Sequence, residues 1–307
     1  MSMVRQLIQR VLYTIPVIWL VVSLVFLMIH LVPGDPIQQM LGEGAPPADI
    51  QAIRHAYGLD APLGEQYLNY WKGVLHGDLG PSFRYNQSVT HMLAQRYPFT
   101  AELTLAALLI AIFISLPAGV YSAQHRNRWE DRTVSVVSLF GLSFPNIALG
   151  PILIILFSIK LGWLPVSGSG GIEYLILPAV TMGGSMAAIL TRMVRTSMLE
   201  ELSQDYIRTA RAKGLPERTV VYRHALRNAM IPIITVLGLQ FGALLAGAIV
   251  TETIFSWPGI GRLTIQAISN RDYYLVQGCI LAIGLTYVAV NFLTDVLYSV
   301  ANPRIRQ

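Results

Sequence analysis

The sequence predicts an all-α integral membrane protein with six transmembrane helices. Its mean hydropathy is +0.52 and only 13% of its 307 residues are charged, whereas soluble proteins carry about 25% charged residues. Six apolar runs without Asp, Glu, Lys or Arg each match or slightly exceed the roughly 17–25 residues that a helix needs to cross the hydrocarbon core. These runs are residues 11–32, 103–123, 133–159, 174–191, 228–251 and 273–294.

The first run is expected to stay in the protein as a membrane anchor. Arg5 and Arg10 precede it, as in a signal peptide, but the run is too long for the apolar part of one and no A-x-A cleavage site follows. The prolines and glycine of LVPGDP then end the helix. Residues 33–99 are predicted to form an extracytoplasmic segment with short amphipathic helices in PPADIQAIRHAYGL, APLGEQYLNYWKGVLHGDLG and SVTHMLAQRYP.

The next runs are joined by short loops. The second and third are connected by the charged loop HRNRWEDR, and the third contains Pro145, which is expected to kink it. The glycine- and serine-rich turn LGWLPVSGSGG leads to the fourth run. In the fifth run Gly238 and Gly242 are four residues apart, a spacing that lets two helix backbones approach closely. This face is expected to pack on another helix, within the chain or across a dimer.

Basic residues predict the orientation, because Lys and Arg near short loops resist translocation. With a cytoplasmic N-terminus, 15 of the 22 Lys and Arg residues lie on the cytoplasmic side, and most of the others lie in the long segment 33–99, which this rule does not count. Both termini are therefore predicted in the cytoplasm. The basic pI of 9.4 then reflects membrane topology and not affinity for nucleic acid.

No motif predicts a catalytic or metal site. The sequence lacks H-E-x-x-H, clustered Cys and His, and a G-x-G-x-x-G fingerprint. The dipeptide Gly-Lys is absent, so the chain cannot contain a P-loop lysine, and any ATP that drives it must bind another subunit. We therefore expect a protein that is not an enzyme and binds no metal or cofactor itself. The single cysteine, Cys279, is expected to be a packing residue.

Four ionisable residues lie at or near the ends of the apolar runs: Glu102, Arg192, Glu252 and Asp295. A charge in hydrocarbon costs at least about 2.5 kcal/mol, so such residues are expected to reach the interface or to pair with a neighbour. Glu252 is the strongest candidate among them for contact with a substrate pathway.

The most unusual segment is QDYIRTARAKGLPERTVVYRHALRNAMIP, residues 204–232, most of which lies in the loop of residues 192–229. The residues at helical spacing on one face of this loop are Met198, Leu202, Tyr206, Thr209 and Ala210. Acids precede the basic residues in this order, which complements the helix dipole. Gly214 supplies a left-handed stop and Pro216 a first-turn proline, so two short helices with a sharp bend are predicted.

Two interpretations of this segment remain open. Its clustered basic residues could bind anionic lipid headgroups at about 1 kcal/mol each. Alternatively, the small residues Thr209, Ala210 and Ala212 beside the bend could let a partner protein dock closely. A solvated basic loop requires neither helix caps nor a glycine stop, so docking is favoured.

The same segment resembles the cytoplasmic coupling loop of ABC-transporter permeases, in the variant of the dipeptide, oligopeptide and nickel importer subfamily. DYIRTARAKG followed by RHALRNAMIP carries the resemblance, and LVPGDP, YGLD, GDLG, SFPN, LGWLP, ETIFSWPGIGRL, RDYYLVQG and NPRIR extend it along the chain. Against the general motif of an E-A-A triplet, a glycine and I-x-L-P, Arg208 stands for the Glu, His224 for the Ile and Arg227 for the Pro, while Gly214 is kept.

The resemblance implies a type I ABC importer permease fold in a bacterial or archaeal cytoplasmic membrane. Residues 1–32 would form the cytoplasmic N-terminus and first transmembrane helix, residues 33–99 the extracytoplasmic segment, and residues 100–307 a five-helix permease core that includes the coupling loop 192–229. The implied partners are a second homologous permease, two cytoplasmic ATPases that bind ATP and Mg, and an extracytoplasmic solute-binding protein. The implied function is ATP-driven import of dipeptides, oligopeptides or related small solutes.

The resemblance also assigns roles to individual residues. The ATPase-coupling residues would be Asp205, Tyr206, Arg208, Thr209, Ala210, Arg211, Ala212, Lys213 and Gly214. The WPGIGR stretch would contact the binding protein through Trp257, Pro258, Gly259 and Arg262. Asn146, Gln240 and Glu252 are polar candidates for the substrate pathway, with ordinary helix packing as the alternative for each.

Two other functions compete with ATP-driven import. An autonomous secondary carrier or channel is disfavoured because no inverted repeat and no series of deep acids or histidines is evident. A membrane-bound enzyme is disfavoured by the missing motifs. The sequence leaves the cargo open among peptides, glutathione, nickel chelates and sugars.

Overall fold

The computed structural model of the chain describes residues 3–31, 37, 41, 45–56 and 58–301. Within these ranges the secondary structure is helical, apart from one isolated bridge between Pro81 and Ser88. The predicted turn at LVPGDP, the closing NPRIR and the side chain of Asp295 lie outside the described residues.

The described helices follow one another along the chain in this order. They are α1 (Met3–Leu31), α2 (Pro47–Ala56), α3 (Leu63–His76), α4 (Val89–Gln124), α5 (Trp129–Ser143), α6 (Asn146–Leu153, continued as a π-helix over Ile154–Lys160), α7 (Ile172–Leu202), α8 (Asp205–Ala212), α9 (Glu217–Thr219, a π-helix over Val220–Ala225, then Leu226–Ile254), α10 (Ile260–Ser269) and α11 (Tyr273–Ala301).

Five of these helices are long and apolar enough to cross a bilayer, and a sixth candidate is broken. The five segments are Arg10–Met28, Val89–Gln124, Ile172–Leu202, Glu217–Gly242 and Tyr273–Thr294. Large apolar side chains on them are widely exposed, including Leu12 and Phe113, which are 57% and 74% exposed. Exposure on this scale is costly in water and suits contact with lipid tails.

The third predicted span differs from the expectation of a single kinked helix. Helices α5 and α6 bend by 101° at the break between them. Phe144 adopts an extended backbone with φ −89° and ψ 115°, because a residue before proline avoids the α-helical region. Pro145 therefore breaks this apolar run into two helices instead of merely bending it.

Two expected short helices are parts of longer ones. The stretch SVTHMLAQRYP continues without a break into the second span as α4. The helix expected after Pro216 likewise runs into the fifth span as α9. In contrast, α2 and α3 confirm the predicted helices of the segment before α4, and Gly77 ends α3 in the left-handed conformation with φ +73°.

The chain divides into two compact units, the first of which comprises residues 1–7, 101–257 and 289–307. In this unit α4 and α7 approach each other closely at two glycines, and α9 approaches α11 at a third. A Cβ atom at Gly119 would lie 2.6 Å from the Cβ of Val194, and one at Gly183 would lie 2.7 Å from the carbonyl oxygen of Ala107. Gly238 lies against the side chain of Thr294, so the glycine face predicted in the fifth span packs within the chain at this residue.

The second unit comprises residues 8–100 and 258–288. Its buried apolar side chains include Val89, Leu263 and Leu275, from α4, α10 and α11. Buried Asp272 accepts hydrogen bonds from the Ser82 hydroxyl and from the backbone N–H groups of Arg84 and Leu275. This carboxylate therefore joins the start of α11 to the turn that precedes α4.

Candidate functional site

Helix α8 and its flanking turns occupy the strongly basic segment between α7 and α9. The chain leaves α7 at Leu202, and Gln204 is extended with φ −73° and ψ 151°. Asp205 then lies in the first turn of α8, where a carboxylate favours the helix dipole. Gly214 has φ +73°, and the Gly214 and Leu215 N–H groups donate to the carbonyls of Arg211 and Ala210. The predicted glycine stop is confirmed.

Two side chains of α8 anchor it to the rest of its unit. Ile207 is fully buried and Ala210 is 7% exposed. They belong to a buried apolar cluster with residues of α4, α7 and α9, namely Val120, Ala123, Val194, Met198, Val220, Val221, Ala225, Ala229 and Ile233. Burying such side chains stabilises the docked helix by roughly 25 cal/mol per Å² of apolar surface. Helix α8 is therefore packed into the apolar core of this unit and is not a solvated loop.

The buried face differs from the predicted one. The pattern grouped Tyr206, Thr209 and Ala210 with the end of α7 on one face. The helix is interrupted after α7, so the spacing does not carry over from α7 into α8. As a result Ile207 and Ala210 are buried, while Thr209 and Ala212 are exposed. Ala210 thus packs inside its own chain, and the small exposed residues of α8 are Thr209 and Ala212.

Polar contacts hold the two ends of α8. The Tyr206 hydroxyl donates to Glu201 at 2.5 Å and accepts from the amide nitrogen of Asn228 at 3.0 Å. Burial raises the pKa of Tyr206, and the neighbouring Glu201 raises it further. At the other end the Arg211 guanidinium donates twice to Glu217, at 2.6 and 3.1 Å. These two hydrogen bonds raise the pKa of Arg211 and tie the end of α8 to the start of α9.

The exposed surface of the segment is cationic. Arg208 makes only a long contact of 3.4 Å with Asp205, and both side chains are largely exposed. Among the described residues, no acid pairs with Lys213, Arg218 or Arg223, all of which are exposed. A partner surface that complements this one would therefore be acidic.

A buried ion pair next to this segment was not predicted from the sequence. Asp131, in the first turn of α5, is 3% exposed and accepts four hydrogen bonds. Arg195 donates to its two oxygens at 2.6 and 2.8 Å, the Ser122 hydroxyl donates at 2.5 Å, and the Asn127 N–H donates at 2.9 Å. The carboxylate thus joins α4, α5 and α7. The signal in the sequence was an acid inside the basic loop HRNRWEDR and an arginine just after the fourth apolar run, but nothing in the sequence paired them.

The three pathway candidates lie at different places. The side-chain oxygen of Asn146, at the start of α6, accepts a hydrogen bond from Ser185 at 2.6 Å. Glu252 is fully buried near the end of α9, and Gln240 is half-buried twelve residues earlier, about 18 Å along a helix. A Cβ at Gly150 would lie 3.2 Å from Ile254, so α6 packs beside the end of α9 that carries Glu252. The structure therefore brings α6 towards Glu252 and leaves Gln240 apart.

The four residues predicted to contact a binding protein differ in exposure. Trp257 is 2% exposed and its N–H donates to the carbonyl of Glu252 at 2.8 Å, which closes the end of α9. Gly259 is also buried and precedes α10. Pro258 and Arg262 are half-buried. The surface of this stretch that a partner could reach is thus reduced to Pro258 and Arg262.

Glu102 and Arg192, the other ionisable residues named near the spans, are exposed side chains. Among the described residues, no group of three or more His, Cys, Asp or Glu is arranged to hold a metal ion.

Comparison with known proteins identifies the family. Residues 115–307 match the family described as "Binding-protein-dependent transport system inner membrane component". Residues 3–104 match its companion, "Binding-prot-dependent transport system membrane comp, N-term".

Several relatives are similar over their whole length. The chain is 43% identical over 304 residues to the glutathione transport system permease protein GsiC of Escherichia coli K12, covering 99% of each chain. The values are the same for GsiC of Shigella dysenteriae serotype 1.

Solved structures share the fold. An inward-facing form of the MetNI methionine ABC transporter matches with a TM-score of 0.59 and 20% identity, covering 69% of this chain and 96% of that one. An amino acid ABC transporter matches with a TM-score of 0.52 and 15% identity, covering 70% and 94%. With both family regions and full-length relatives in agreement, the chain belongs to the inner-membrane components of binding-protein-dependent transport systems, the permease subunits of ABC importers.

Proposed function

We propose that this permease imports small peptides, with glutathione as the first cargo to test, in a complex with a second homologous permease, two cytoplasmic ATPases and an extracytoplasmic binding protein. ATP and Mg bind the ATPases, and the permease chain itself hydrolyses nothing. The cargo class is supported by the glutathione permeases that are 43% identical over the full length.

The proposed topology has six spans and cytoplasmic termini, in the cytoplasmic membrane of a bacterium or archaeon. The broken pair α5 and α6 would count as one span. The distribution of basic residues supports this orientation. Residues 33–99 are then extracytoplasmic, residues 100–307 form the permease core, and the loop 192–229 faces the ATPases.

We propose that α8 is the helix that docks into the ATPases. The observation that carries this proposal is its two-sided character. Ile207 and Ala210 fix it to three long helices, while Arg208, Thr209, Ala212 and Lys213 remain exposed. A helix fixed in this way transmits a displacement instead of absorbing it. Because a ligand shifts a conformational equilibrium only through differential affinity, ATP-dependent closure of the ATPases must favour one arrangement of this docked helix over another.

The experiment compares two exposed threonines of the same chain. Thr209 and Thr196 are both exposed in helices, and each hydroxyl donates to the carbonyl four residues before it. In the reconstituted complex with its binding protein, Thr209→Trp is expected to abolish ATP-dependent glutathione uptake, because the bulky ring blocks close approach. Thr196→Trp, the matched control, is expected to leave uptake intact.

Three results would contradict parts of this proposal. Normal uptake and normal co-purification of the ATPases with Thr209→Trp would exclude docking through this face. Uptake by the wild-type chain without ATP or binding protein would favour an autonomous carrier. ATP-dependent uptake of another solute but not of glutathione would leave the coupling intact and replace the cargo.

The three pathway residues and the WPGIGR contact also remain proposals. Glu252 is the pathway candidate with the most specific support, because it is fully buried beside α6. Glu252→Gln is expected to alter the rate or selectivity of uptake, and an unaltered rate and selectivity would assign Glu252 to packing. For the binding protein we propose contact through Pro258 and Arg262.

A further inference from the structure

The second unit contains a cavity of about 270 Å³ that the proposed transport cycle does not use. It lies between the end of α1, helix α3, the turn at residues 78–83 and the start of α11. Its size is slightly below the 300 Å³ at which pockets for drug-sized ligands begin. The cavity therefore suits a small group and not an extended molecule.

Three polar side chains of the lining retain capacity for hydrogen bonds. One oxygen of Asp78 accepts the Gly80 N–H at 3.0 Å, and no described residue donates to the other. The amide nitrogen of Gln277, which is 4% exposed, donates to the Val25 carbonyl at 3.3 Å. Because a carbonyl only accepts, this bond fixes the amide orientation and leaves the Gln277 side-chain oxygen for another donor. The Tyr70 hydroxyl is buried with no partner among the described residues.

Aromatic rings form much of the remaining wall. The rings of Phe26 and Tyr70 are 5.7 Å apart, and those of Phe83 and Tyr274 meet edge-on at 4.9 Å. The negative faces of such rings attract cations. Of the described residues that line the cavity, none is Lys or Arg.

His30 also lines the cavity, and each of its ring nitrogens lies near an oxygen that can only accept a hydrogen bond. One lies 3.1 Å from the Phe26 carbonyl oxygen and the other 3.2 Å from the side-chain oxygen of Gln66. The Gln66 amide cannot be reversed, because its nitrogen donates to the Ala61 carbonyl at 2.8 Å. An uncharged His30 can donate to only one of these two oxygens, but both lie in front of the ring nitrogens, so the ring face is what His30 presents to a ligand.

We propose that this cavity binds an organic ammonium group, held by the Asp78 carboxylate and the Gln277 and Tyr70 oxygens and enclosed by the aromatic rings. The group could belong to a soluble amine or to the headgroup of a lipid such as phosphatidylethanolamine. Both sources present the same chemistry to the same residues.

The test uses the purified, delipidated full-length chain in a neutral detergent at pH 8, where an imidazole is ordinarily uncharged. Ethanolamine, a primary ammonium with three N–H donors, is titrated by calorimetry and by thermal unfolding, and 1-propanol serves as its neutral analogue of the same shape. We expect ethanolamine to bind saturably and to raise Tm, and the neutral analogue to do neither. Parallel samples in nanodiscs with or without phosphatidylethanolamine test the lipid source.

The decisive variant is Asp78→Asn, because Asn keeps an oxygen for the Gly80 N–H while it removes the charge. Losing a charged hydrogen bond should weaken ethanolamine binding about tenfold. Glu65→Gln, an exposed acid on α3 outside the cavity, is the matched control and should bind ethanolamine like the wild type. Tyr70→Phe removes one atom and should weaken binding about fivefold.

The possible results distinguish the two sources of the ammonium group from each other. An ethanolamine effect that Asp78→Asn reduces supports a site for soluble amines. A Tm increase only in nanodiscs with phosphatidylethanolamine, lost in Asp78→Asn, supports the lipid source. The proposal is wrong if neither ammonium source stabilises the wild type, if the neutral analogue binds equally well, or if Asp78→Asn binds like the wild type.

Discussion

Replacing Asp131 by Asn should be among the most damaging single-atom changes in the first unit. Asn has the same size, but its amide places an NH2 group where one carboxylate oxygen now accepts from Arg195 and from either Ser122 or the Asn127 N–H. The new NH2 group, which can only donate, would then face the donor groups that bound the replaced oxygen. The Arg195 guanidinium also loses its charged partner.

The magnitude follows from the exposure of the two partners. Removing one member of a buried ion pair costs about 3–5 kcal/mol. The Asp131 side chain is 5% exposed but that of Arg195 is 27% exposed, so water relieves part of the cost. We therefore expect a loss of about 2–3 kcal/mol, or roughly 5–8 °C in Tm.

The assay is thermal unfolding of the full-length chain in detergent, arranged as a double-mutant cycle. Asp131→Asn and Arg195→Met are measured singly and together, and Met keeps the apolar stem of the arginine. The pair should show a coupling energy of about 1–3 kcal/mol. Asp205→Asn, which removes a carboxylate that is 95% exposed, should leave Tm nearly unchanged. Additive effects of the two single variants would refute the reasoning.

Three further changes test other parts of the structure. Gly119→Ala should lower the free energy of unfolding by about 1–3 kcal/mol, because the added Cβ would overlap with Val194 of α7. Gly184→Ala, whose added Cβ would meet no atom within 4 Å, should be neutral or stabilising. Equal changes in Tm for the two variants would contradict this. Gly214 has φ +73° and open space around it, so its replacement by Asn should be tolerated better than replacement by Val in a comparison of Tm. The hydrogen bond with Asp60 raises the pKa of His55 above 6.5, and Asp60→Asn should lower it again in an NMR titration. Their attraction is present below the folded pKa of His55, is lost as pH rises through that value, and is lost again as pH falls through the lowered pKa of Asp60.

The membrane helices could be predicted from the sequence because hydropathy is a local property. Each apolar run needs only its own residues to satisfy the length requirement of a bilayer. The same local logic located the glycine stop at Gly214, which requires only a backbone that tolerates positive φ. It was less successful at Pro145, since local chemistry predicts a disturbance there but does not set its angle.

The burial of α8 could not be predicted because it depends on contacts across the chain. Whether Tyr206 or Ile207 faces inward is decided by a one-residue shift of helix phase after Gln204, which periodicity alone did not detect. The pairing of Asp131 with Arg195 spans 64 positions, and the sequence offered several arginines for one acid. These contacts are tertiary, so composition and spacing could not select them.

The last turns of α7 contact both the basic segment, through apolar side chains, and Asp131, through the ion pair. Val194 and Met198 contact the apolar cluster that buries Ile207 and Ala210 of α8, while Arg195 between them binds Asp131 at the start of α5. A displacement of α8 would therefore pass to α7 through apolar contacts, which tolerate sliding, and to α5 through a bidentate pair, which has one good geometry. If α8 docks the ATPases as proposed, loss of the ion pair should impair uptake more than it impairs ATPase binding, because the pair lies beyond the docking surface on the path into the membrane.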